Sequence, residues 1–194
     1  MAQTDRDKWD ARYGGGDCSQ PAQPTALLAD WIDRLPRGQA LDLACGRGRN
    51  ALLLAAAGFA VDAVDISPRG LEQGRRAAEM LGLNINWVEH DLDRPLALTG
   101  PWQLIVAVRY VNLPLLIDLK QHLAPGGFLL CEQHCISDRP VAGPSDPAFR
   151  VELGALLTVA DGLNIHLARE ILVEEEGGHL VALAQLVAER RAGA

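Results

Sequence analysis

A glycine-spaced turn between an apolar strand and a helix constrains this chain more than any other feature. Residues 41–50 read Leu-Asp-Leu-Ala-Cys-Gly-Arg-Gly-Arg-Asn, and a helical apolar run, 51–57, follows at once. Glycine lets a ligand approach the backbone closely, and the first N–H groups of the next helix have no partner inside that helix. The turn at 44–48, called the glycine turn below, therefore predicts a nucleotide-type cofactor site, with the carboxylate of Asp42 buried in the preceding strand.

Composition bounds the class of protein. The 194 residues are 48% hydrophobic and 22% charged, which suits one domain with an ample core. The formal net charge of −7 argues against nucleic acid as a partner, because nucleic-acid-binding proteins carry a basic face. The N-terminus lacks the apolar core of a signal peptide, and the longest apolar run, 51–61, is too short to span a bilayer. We expect a cytoplasmic protein without membrane contact, and the sequence leaves monomer or dimer open.

Four cysteines raise the question of a metal site: Cys18, Cys45, Cys131 and Cys135. The last two flank His134 in a segment that has the pattern of a buried strand. Side chains alternate faces along a strand, so the histidine points away from the two thiols and the three cannot share one tetrahedral ion. We expect no metal and interpret the thiols as ordinary core groups.

Strand and helix patterns alternate after a polar N-terminal segment. The predicted strands are 40–45, 60–66, 85–90, 104–108 and 128–135. The predicted helices are 24–35, 50–57, 68–81, 114–123 and 149–159. Such alternation indicates an α/β fold with a doubly wound, mostly parallel sheet. Two more strand patterns, 165–174 and 180–189, are separated by a glycine-containing turn and predict a C-terminal antiparallel hairpin, which brings the sheet to seven strands.

We expect one domain over residues 1–194, since no repeat or long linker divides the chain. Residues 1–36 are predicted to form an N-terminal lid or cap segment. Residues 37–135 form the predicted cofactor-binding core, and 136–194 form the loop, helix and hairpin on the substrate side.

An acidic residue at the end of the second strand narrows the choice of cofactor. Asp65 lies 19 positions after Gly46, where a carboxylate binds the ribose of nicotinamide or adenosyl cofactors. The Gly-x-Gly-x-x-Ala spacing of the turn also fits the dinucleotide fingerprint and does not separate the two. Asp42, however, would repel a pyrophosphate and suits a cationic amino or sulfonium group. Asp91 follows the third strand, where an adenine amino group could be recognised.

Four successive segments resemble the motifs of class I S-adenosylmethionine-dependent methyltransferases. They lie at 41–48, 64–68, 89–91 and 123–127, in matching order and spacing. Within that family, Trp-Asp-x-Arg-Tyr at 9–13 and Gly-Arg-Gly-Arg-Asn at 46–50 look most like the tellurite-resistance and thiopurine-type group. One departure is Ala44, where the family usually has glycine.

The resemblance implies a Rossmann-like methyltransferase fold with S-adenosylmethionine as cofactor and S-adenosylhomocysteine as product. It implies these cofactor-binding residues: Asp42, Ala44, Cys45, Gly46, Gly48, Asn50, Asp65, Ile66, Asp91, Leu92, Val108 and Arg109. Among them, Asp65 is expected to hold the ribose and Ile66 to pack on the adenine. Asp91 and Leu92 are expected to contact the adenine edge.

The methyl acceptor is less constrained. Arg109, Tyr110 and His134, at the ends of the fourth and fifth strands, are candidates to bind it or act on it. In-line methyl transfer depends mainly on positioning, so a dedicated catalytic base is not required for a nucleophilic acceptor. Trp9 and Tyr13, one helical turn apart, are candidates for a lid.

The small core favours a small-molecule acceptor, such as an oxyanion, a thiol or a small metabolite. Two alternatives remain at this point. The first is an NAD(P)-binding Rossmann oxidoreductase, and the second is a non-catalytic protein that binds S-adenosylmethionine.

Overall fold

A central β-sheet organises the structure, a computed structural model that describes residues 2–14, 23–175 and 177–193. Its strands are β1 (Gln39–Leu43), β2 (Ala60–Asp65), β3 (Ile85–Glu89), β4 (Trp102–Val108), β5 (Leu123–His134), β6 (Asn164–Glu175) and β7 (His179–Glu189). The helices are α1 (Ala2–Gly14), α2 (Ala26–Trp31), α3 (Arg49–Ala56), α4 (Pro68–Met80), α5 (Leu113–Leu119) and α6 (Leu153–Val159). Short 3-10 helices lie at Ile32–Arg34, Lys120–His122 and Pro147–Phe149.

Parallel strands and an antiparallel hairpin share this sheet. The strand order is β3-β2-β1-β4-β5-β7-β6. Neighbouring strands in the part β3-β2-β1-β4-β5 are parallel. Strand β7 enters antiparallel between β5 and β6. Gly177 and Gly178 both have positive φ, which lets the chain reverse between β6 and β7. The predicted doubly wound sheet of seven strands with a C-terminal antiparallel hairpin is confirmed.

Helices cover both faces of the sheet. Leu28 of α2 and Leu54 of α3 are fully buried in the apolar cluster on one face. Leu116 of α5 and Leu156 of α6 are buried in the cluster on the other face. A parallel sheet covered on both sides is apolar along its strands. Polar side chains therefore gather at its carboxyl edge, where the chain leaves β1, β2 and β4.

The start of α4 follows the predicted capping pattern. Ser67 Oγ accepts a hydrogen bond from the backbone N–H of Gly70 at 3.1 Å, and Pro68 opens the helix. Proline lacks the N–H that would stay unpaired at this position. The cap fixes the entry of α4 beside the end of β2, which matters for the site described below.

The predicted boundary between α5 and β5 is wrong. The sequence predicts a helix over 114–123 with a Pro-Gly-Gly stop, whereas β5 already begins at Leu123 and includes this segment. Gly126, at φ +74°, donates its N–H to the carbonyl of Arg190 at 2.8 Å. The N–H of Arg190 returns a 2.8 Å bond to the carbonyl of Gly127. These bonds to the chain beyond β7 hold a turn-forming sequence inside the sheet.

Other helices also differ from their predicted bounds. Helix α1 spans 13 residues of the predicted lid or cap segment. The helix predicted over 24–35 is shorter, because α2 ends at Trp31 and a 3-10 helix follows. The helix predicted over 149–159 begins later, at Leu153. Phe149 belongs to a 3-10 helix, and residues 150–152 are extended, with Val151 in a parallel β-bridge with Cys135.

The cysteines in the described ranges are not paired in disulfides. Cys45, Cys131 and Cys135 are buried free thiols, and Cys18 lies outside the described residues. Within the described ranges, no three His, Cys, Asp or Glu side chains are grouped so as to hold a metal ion. None of the helices in that part of the chain combines the length and apolar character that crossing a membrane requires.

Candidate active site

The glycine turn follows a left-handed backbone path. Ala44, Gly46 and Gly48 have φ values of +51°, +58° and +76°. The N–H of Cys45 donates to the carbonyl of Val64 at 3.0 Å, which ties the turn to β2. Glycine adopts this region freely, whereas a residue with a Cβ loses about 1–2 kcal/mol there. The strain falls on Ala44, the position that departs from the resemblance.

Neighbouring aromatic rings explain why the two glycines are needed. A Cβ built on Gly46 would lie 2.5 Å from the hydroxyl oxygen of Tyr13. A Cβ on Gly48 or Gly74 would overlap the ring of Trp87, which lies between them. The sequence analysis does not predict a role for Trp87. The feature that could have indicated one is a large aromatic residue in β3 opposite α4, a helix that contains glycine. Gly48 thus makes room for a side chain of the protein itself.

Asp42 lies under the glycine turn and is 1% exposed. One carboxylate oxygen accepts a hydrogen bond from the backbone N–H of Ala51 in α3, while Oδ2 is buried without a hydrogen-bond partner. Burial raises the pKa of Asp42 to about 7, and the Ala51 bond and the Arg49 charge oppose that rise. A buried carboxylate oxygen without a donor is unusual, because such groups are costly to leave unpaired. A cationic ligand group nearby would stabilise its charged form.

Asp65 joins the glycine turn to α4. Its Oδ2 accepts from the N–H of Gly46 at 2.7 Å, and its Oδ1 accepts from the N–H of Ser67 at 2.9 Å. Burial is the largest influence on Asp65 and raises its pKa, while these backbone bonds lower it. The carboxylate therefore stands at the end of β2, as predicted. It also has a structural task that the sequence did not reveal.

Helix α1 lies over this region. Trp9 and Tyr13 stack with ring centroids 5.9 Å apart, and a Cβ on Gly70 would lie 3.0 Å from the Tyr13 ring. Gln73 Nε2 donates to the Tyr13 carbonyl at 2.8 Å, and the Ser67 hydroxyl donates to Asp10. The two candidate lid residues are therefore held next to the glycine turn.

A second group lies beyond β3 and β4. Leu92 is 7% exposed, and the amide of Asn112 donates to the hydroxyl of Tyr110 at 3.2 Å. The Asp91 carboxylate accepts from the N–H of Asp93 at 3.1 Å. Burial raises the pKa of Tyr110, and the nearby aspartates raise it further. Tyr110 thus lies with Leu92 and Asp91, the residues expected at the adenine edge.

Arg109 lies in a different environment from Tyr110. It has φ +60°, and its backbone N–H donates to the carbonyl of Glu132 at 2.8 Å. Its Nη1 is 3.0 Å from His134 Nε2, and its Nη2 donates to Glu175 Oε1 at 2.6 Å. Its Nε is 3.5 Å from Glu132 Oε1. We call Arg109, Glu132, His134 and Glu175 the arginine cluster.

Glu132 is the buried anion of this cluster and is 3% exposed. Its Oε1 accepts from the hydroxyl of Thr25 at 2.7 Å, and its Oε2 accepts from the amide of Gln185 at 2.7 Å. Thr25 is held in turn, because its N–H donates to Asn50 Oδ1 at 3.0 Å. Asn50 therefore anchors the start of α2 from a buried position.

His134 is neutral in this setting. Burial lowers the pKa of His134 to about 4, and the Arg109 charge adds to the effect. Its Nε2 accepts from the guanidinium, so its proton is on Nδ1, which is buried without a partner. The lone pair that a general base would use already accepts from Arg109.

The remaining predicted residues line the same carboxyl edge. Val108 is 7% exposed and ends β4, and Cys45 is 8% exposed inside the turn. Burial raises the pKa of the Cys45 thiol well above its ordinary value. Ile66 lies between Asp65 and the α4 cap. Arg109 and His134 are brought together, whereas Tyr110 faces the other group.

The strand order with an antiparallel β7 gives a Rossmann-like methyltransferase fold. Acidic residues at the ends of β1 and β2 lie around its glycine turn. Residues 40–127 match the family described as a methyltransferase domain. The matched residues run from β1 into β5 and include the glycine turn, Asp42 and Asp65, so this part of the chain is similar in sequence to methyltransferase domains. The oxidoreductase alternative is not supported.

Similar proteins agree with this assignment. The structure of TehB from Haemophilus influenzae superposes with a TM-score of 0.77 at 20% identity, over 96% of this chain and 67% of that one. A geranyl diphosphate methyltransferase in complex with GPP and sinefungin gives a TM-score of 0.70 at 15% identity, over 97% and 98%. Both likenesses show the fold.

A curated relative matches a shorter part of the chain. Ribosomal RNA small subunit methyltransferase B from Thermus thermophilus is 38% identical over 78 residues, which is 40% of this chain. The matched part spans 20% of the length of that relative.

Proposed function

We propose that this protein transfers a methyl group from S-adenosylmethionine to a small-molecule acceptor. The observation that carries the proposal is the buried Oδ2 of Asp42, which has no hydrogen-bond partner and lies beneath the left-handed glycine turn. A carboxylate oxygen without a donor, next to a backbone turn with little side-chain bulk, suits a cationic ligand group that lies close to the chain.

The residues present fit the cofactor. The glycine turn and Asp42 would hold its methionine part, and Asp65 would accept from the ribose hydroxyls. Ile66, Leu92 and Asp91 would enclose the adenine. When bound, S-adenosylmethionine would supply a methyl group on a positively charged sulfur. The acceptor lone pair would bond to the methyl carbon as the carbon–sulfur bond breaks, with S-adenosylhomocysteine as the leaving group.

The chain's own contribution to the reaction is positioning and exclusion of water. Trp9 and Tyr13 cover the glycine turn, and Arg109 orients the acceptor beside it. His134 is neutral, and its Nε2 is occupied by Arg109, so it does not remove a proton in this arrangement. We therefore expect an acceptor that is already nucleophilic at neutral pH, with most of the rate enhancement coming from alignment.

Charge supports a small acceptor over RNA. The net charge is −7, whereas proteins that bind nucleic acid neutralise its many backbone phosphates with a basic surface. The relative named for ribosomal RNA matches only part of this chain, whereas the geranyl diphosphate methyltransferase of the same fold covers nearly all of it.

A binding experiment tests the cofactor. Thermal unfolding with S-adenosylmethionine, S-adenosylhomocysteine, NAD and NADP should show stabilisation by the first two alone, because a ligand that binds only the folded state raises its stability. Asp42→Asn should weaken that stabilisation, whereas Asp33→Asn, at a side chain that is 96% exposed, should not. Stabilisation by NAD alone would contradict the proposal.

An activity screen tests the transfer. Labelled-methyl transfer should be followed against inorganic oxyanions, thiols, small carboxylic metabolites and RNA. Product from a small molecule supports the proposal, and product from RNA alone contradicts it. Tight cofactor binding with no transfer to any of these would favour the non-catalytic alternative.

A further inference from the structure

Arg109 leaves the sheet next to the glycine turn. Ala107 of β4 pairs with Leu43 of β1 in the parallel register, so Arg109 follows β4 where the turn follows β1. An acceptor must meet the methyl group at this edge, if the function proposed above is correct. The side chain that reaches this edge from β4 is a guanidinium, which binds carboxylates and oxyanions through paired N–H groups.

The backbone of Arg109 is held in a left-handed conformation. Its φ is +60°, a region that residues with a Cβ rarely adopt. Strained residues of this kind persist where the surrounding structure fixes them, and they gather at ligand sites. Here the bond from its N–H to the Glu132 carbonyl and the contact with His134 fix the direction of the side chain.

The two carboxylates around Arg109 have different roles. Glu132 is buried, and its two oxygens are already bonded to Thr25 and Gln185, so it is a fixed part of the fold. Glu175 ends β6, and its side chain is 47% exposed. Its bond to Nη2 is its contribution to the cluster. Ion pairs with an exposed partner contribute little to stability, so an incoming anion can replace Glu175 at small cost.

Further positive charge faces the same place. Arg150 donates to the backbone carbonyls of Pro144, Cys135 and Ala142, so its charge is held by neutral groups. It lies near enough to His134 to lower the pKa of that imidazole. When Glu175 moves away, Arg109 and Arg150 leave an excess of positive charge around His134.

We infer that the acceptor carries a carboxylate or an oxyanion that binds Arg109, and that Glu175 occupies this position when the acceptor is absent. Glu175 then occupies the position of the acceptor's anionic group and competes with it, which lowers the affinity of the site for the acceptor. The inference rests on the proposed function and goes beyond it by assigning the charge of the acceptor and the side chain that it displaces.

The experiment measures anion binding to protein saturated with S-adenosylhomocysteine. Calorimetry and ligand-observed NMR would follow a panel of monocarboxylates, their neutral amides and inorganic oxyanions. We expect carboxylates or oxyanions to bind and the amides not to bind. Glu175→Gln should tighten anion binding about threefold to fivefold, as expected for removal of a weak competing ion pair. Glu174→Gln, at the exposed neighbouring position, should leave binding unchanged.

Arg109 variants complete the test. Arg109→Gln should abolish anion binding, and Arg109→Lys should restore part of it, with each variant measured at the S-adenosylhomocysteine concentration that saturates it. If no anion binds either the wild type or Glu175→Gln, or if Glu174→Gln has the same effect as Glu175→Gln, the inference is wrong. If the wild type does not bind S-adenosylhomocysteine, the proposed function fails instead. Binding confined to organic carboxylates or to inorganic oxyanions identifies which source supplies the anion.

Discussion

The two halves of the carboxyl edge use charged side chains in opposite ways. Around the glycine turn, Asp42 and Asp65 accept hydrogen bonds from backbone N–H groups. In the arginine cluster, Arg109 bonds to side chains from β5 and β6. The first half is therefore a shaped backbone with negative charge beneath it. The second half is a positive charge held by a network of side chains. The first half therefore suits a cationic ligand group, and the second suits an anionic one.

This difference between the two halves indicates which of them determines specificity for the acceptor. The turn uses residues close together in sequence, so its form follows from a short motif. The arginine cluster joins residues far apart, with Arg109 and Glu175 separated by 66 positions and Arg109 and His134 by 25. A shared cofactor can be served by a local motif, whereas an acceptor site can change through distant substitutions.

Asp42 gives the largest expected effect, and it tests the acidic half. Its folded pKa is about 7, and its unfolded pKa is about 3.9, so the folded state binds an extra proton between these values. The wild type should lose stability as pH rises through this interval, by roughly 4 kcal/mol. Asp42→Asn should not show this loss. Urea unfolding at pH 5 and pH 8 measures the part of this loss that falls between the two, roughly 2.5 kcal/mol. Asp33→Asn is the control, and parallel behaviour of wild type and Asp42→Asn would contradict the raised pKa of the buried carboxyl.

Glu132 tests whether the arginine cluster is part of the fold. Glu132→Ala leaves Thr25, Gln185 and Arg109 without their buried partner, and it should lower the free energy of unfolding by about 3 kcal/mol. Denaturant unfolding measures this loss. Glu79→Ala, at an exposed position of α4, should change stability little. A loss no larger than that of the control would show that the cluster is not held through Glu132.

Asp65 tests the link between the turn and the cofactor. Asp65→Ala removes the bonds to Gly46 and Ser67, so S-adenosylhomocysteine affinity should fall by about tenfold or more. Calorimetry gives the affinity, and thermal unfolding should show a lower melting temperature. Asp62→Ala, on the same strand but bonded to an exposed asparagine, is the matched control. Unchanged affinity in Asp65→Ala would remove the ribose role.

Ala44 gives the smallest expected effect and has the opposite sign. Ala44→Gly relieves the left-handed strain at φ +51° but gives the unfolded chain more freedom. The net result should be a gain of about 0.5–1 kcal/mol in unfolding free energy with unchanged cofactor affinity. Thermal unfolding measures it, and a destabilised variant would show that the Cβ of Ala44 makes a contact worth more than the strain.

Much of the fold could be predicted, because its signals are local. The glycine turn, the Ser67–Pro68 start of α4 and the glycines between β6 and β7 each specify a conformation within a few residues. The Pro-Gly-Gly segment misled the prediction, because its conformation depends on Arg190, more than sixty residues later. Local rules do not report a partner so distant in the chain.

The positions of the candidate residues at the sheet edge could be predicted, but their contacts less so. The sequence places Arg109 and His134 at the ends of adjacent strands, and the structure brings the two side chains together. Trp87 and Glu175 were missed, since nothing near them in sequence shows that one fills the space at Gly48 and the other reaches Arg109. Asp65 was assigned to a ligand, while its bonds to the turn depend on a backbone path that only the structure shows.

Tyr13 over Gly46 has a kinetic consequence. A ligand that comes close to this backbone must first displace the phenol, and the end of α1 is fastened through Gln73 and Ser67. The observed association rate should then level off at high cofactor concentration, at the frequency with which α1 detaches, rather than rise in proportion to encounters. Detachment of α1 would then limit the rate of cofactor exchange, and each turnover would require one such detachment.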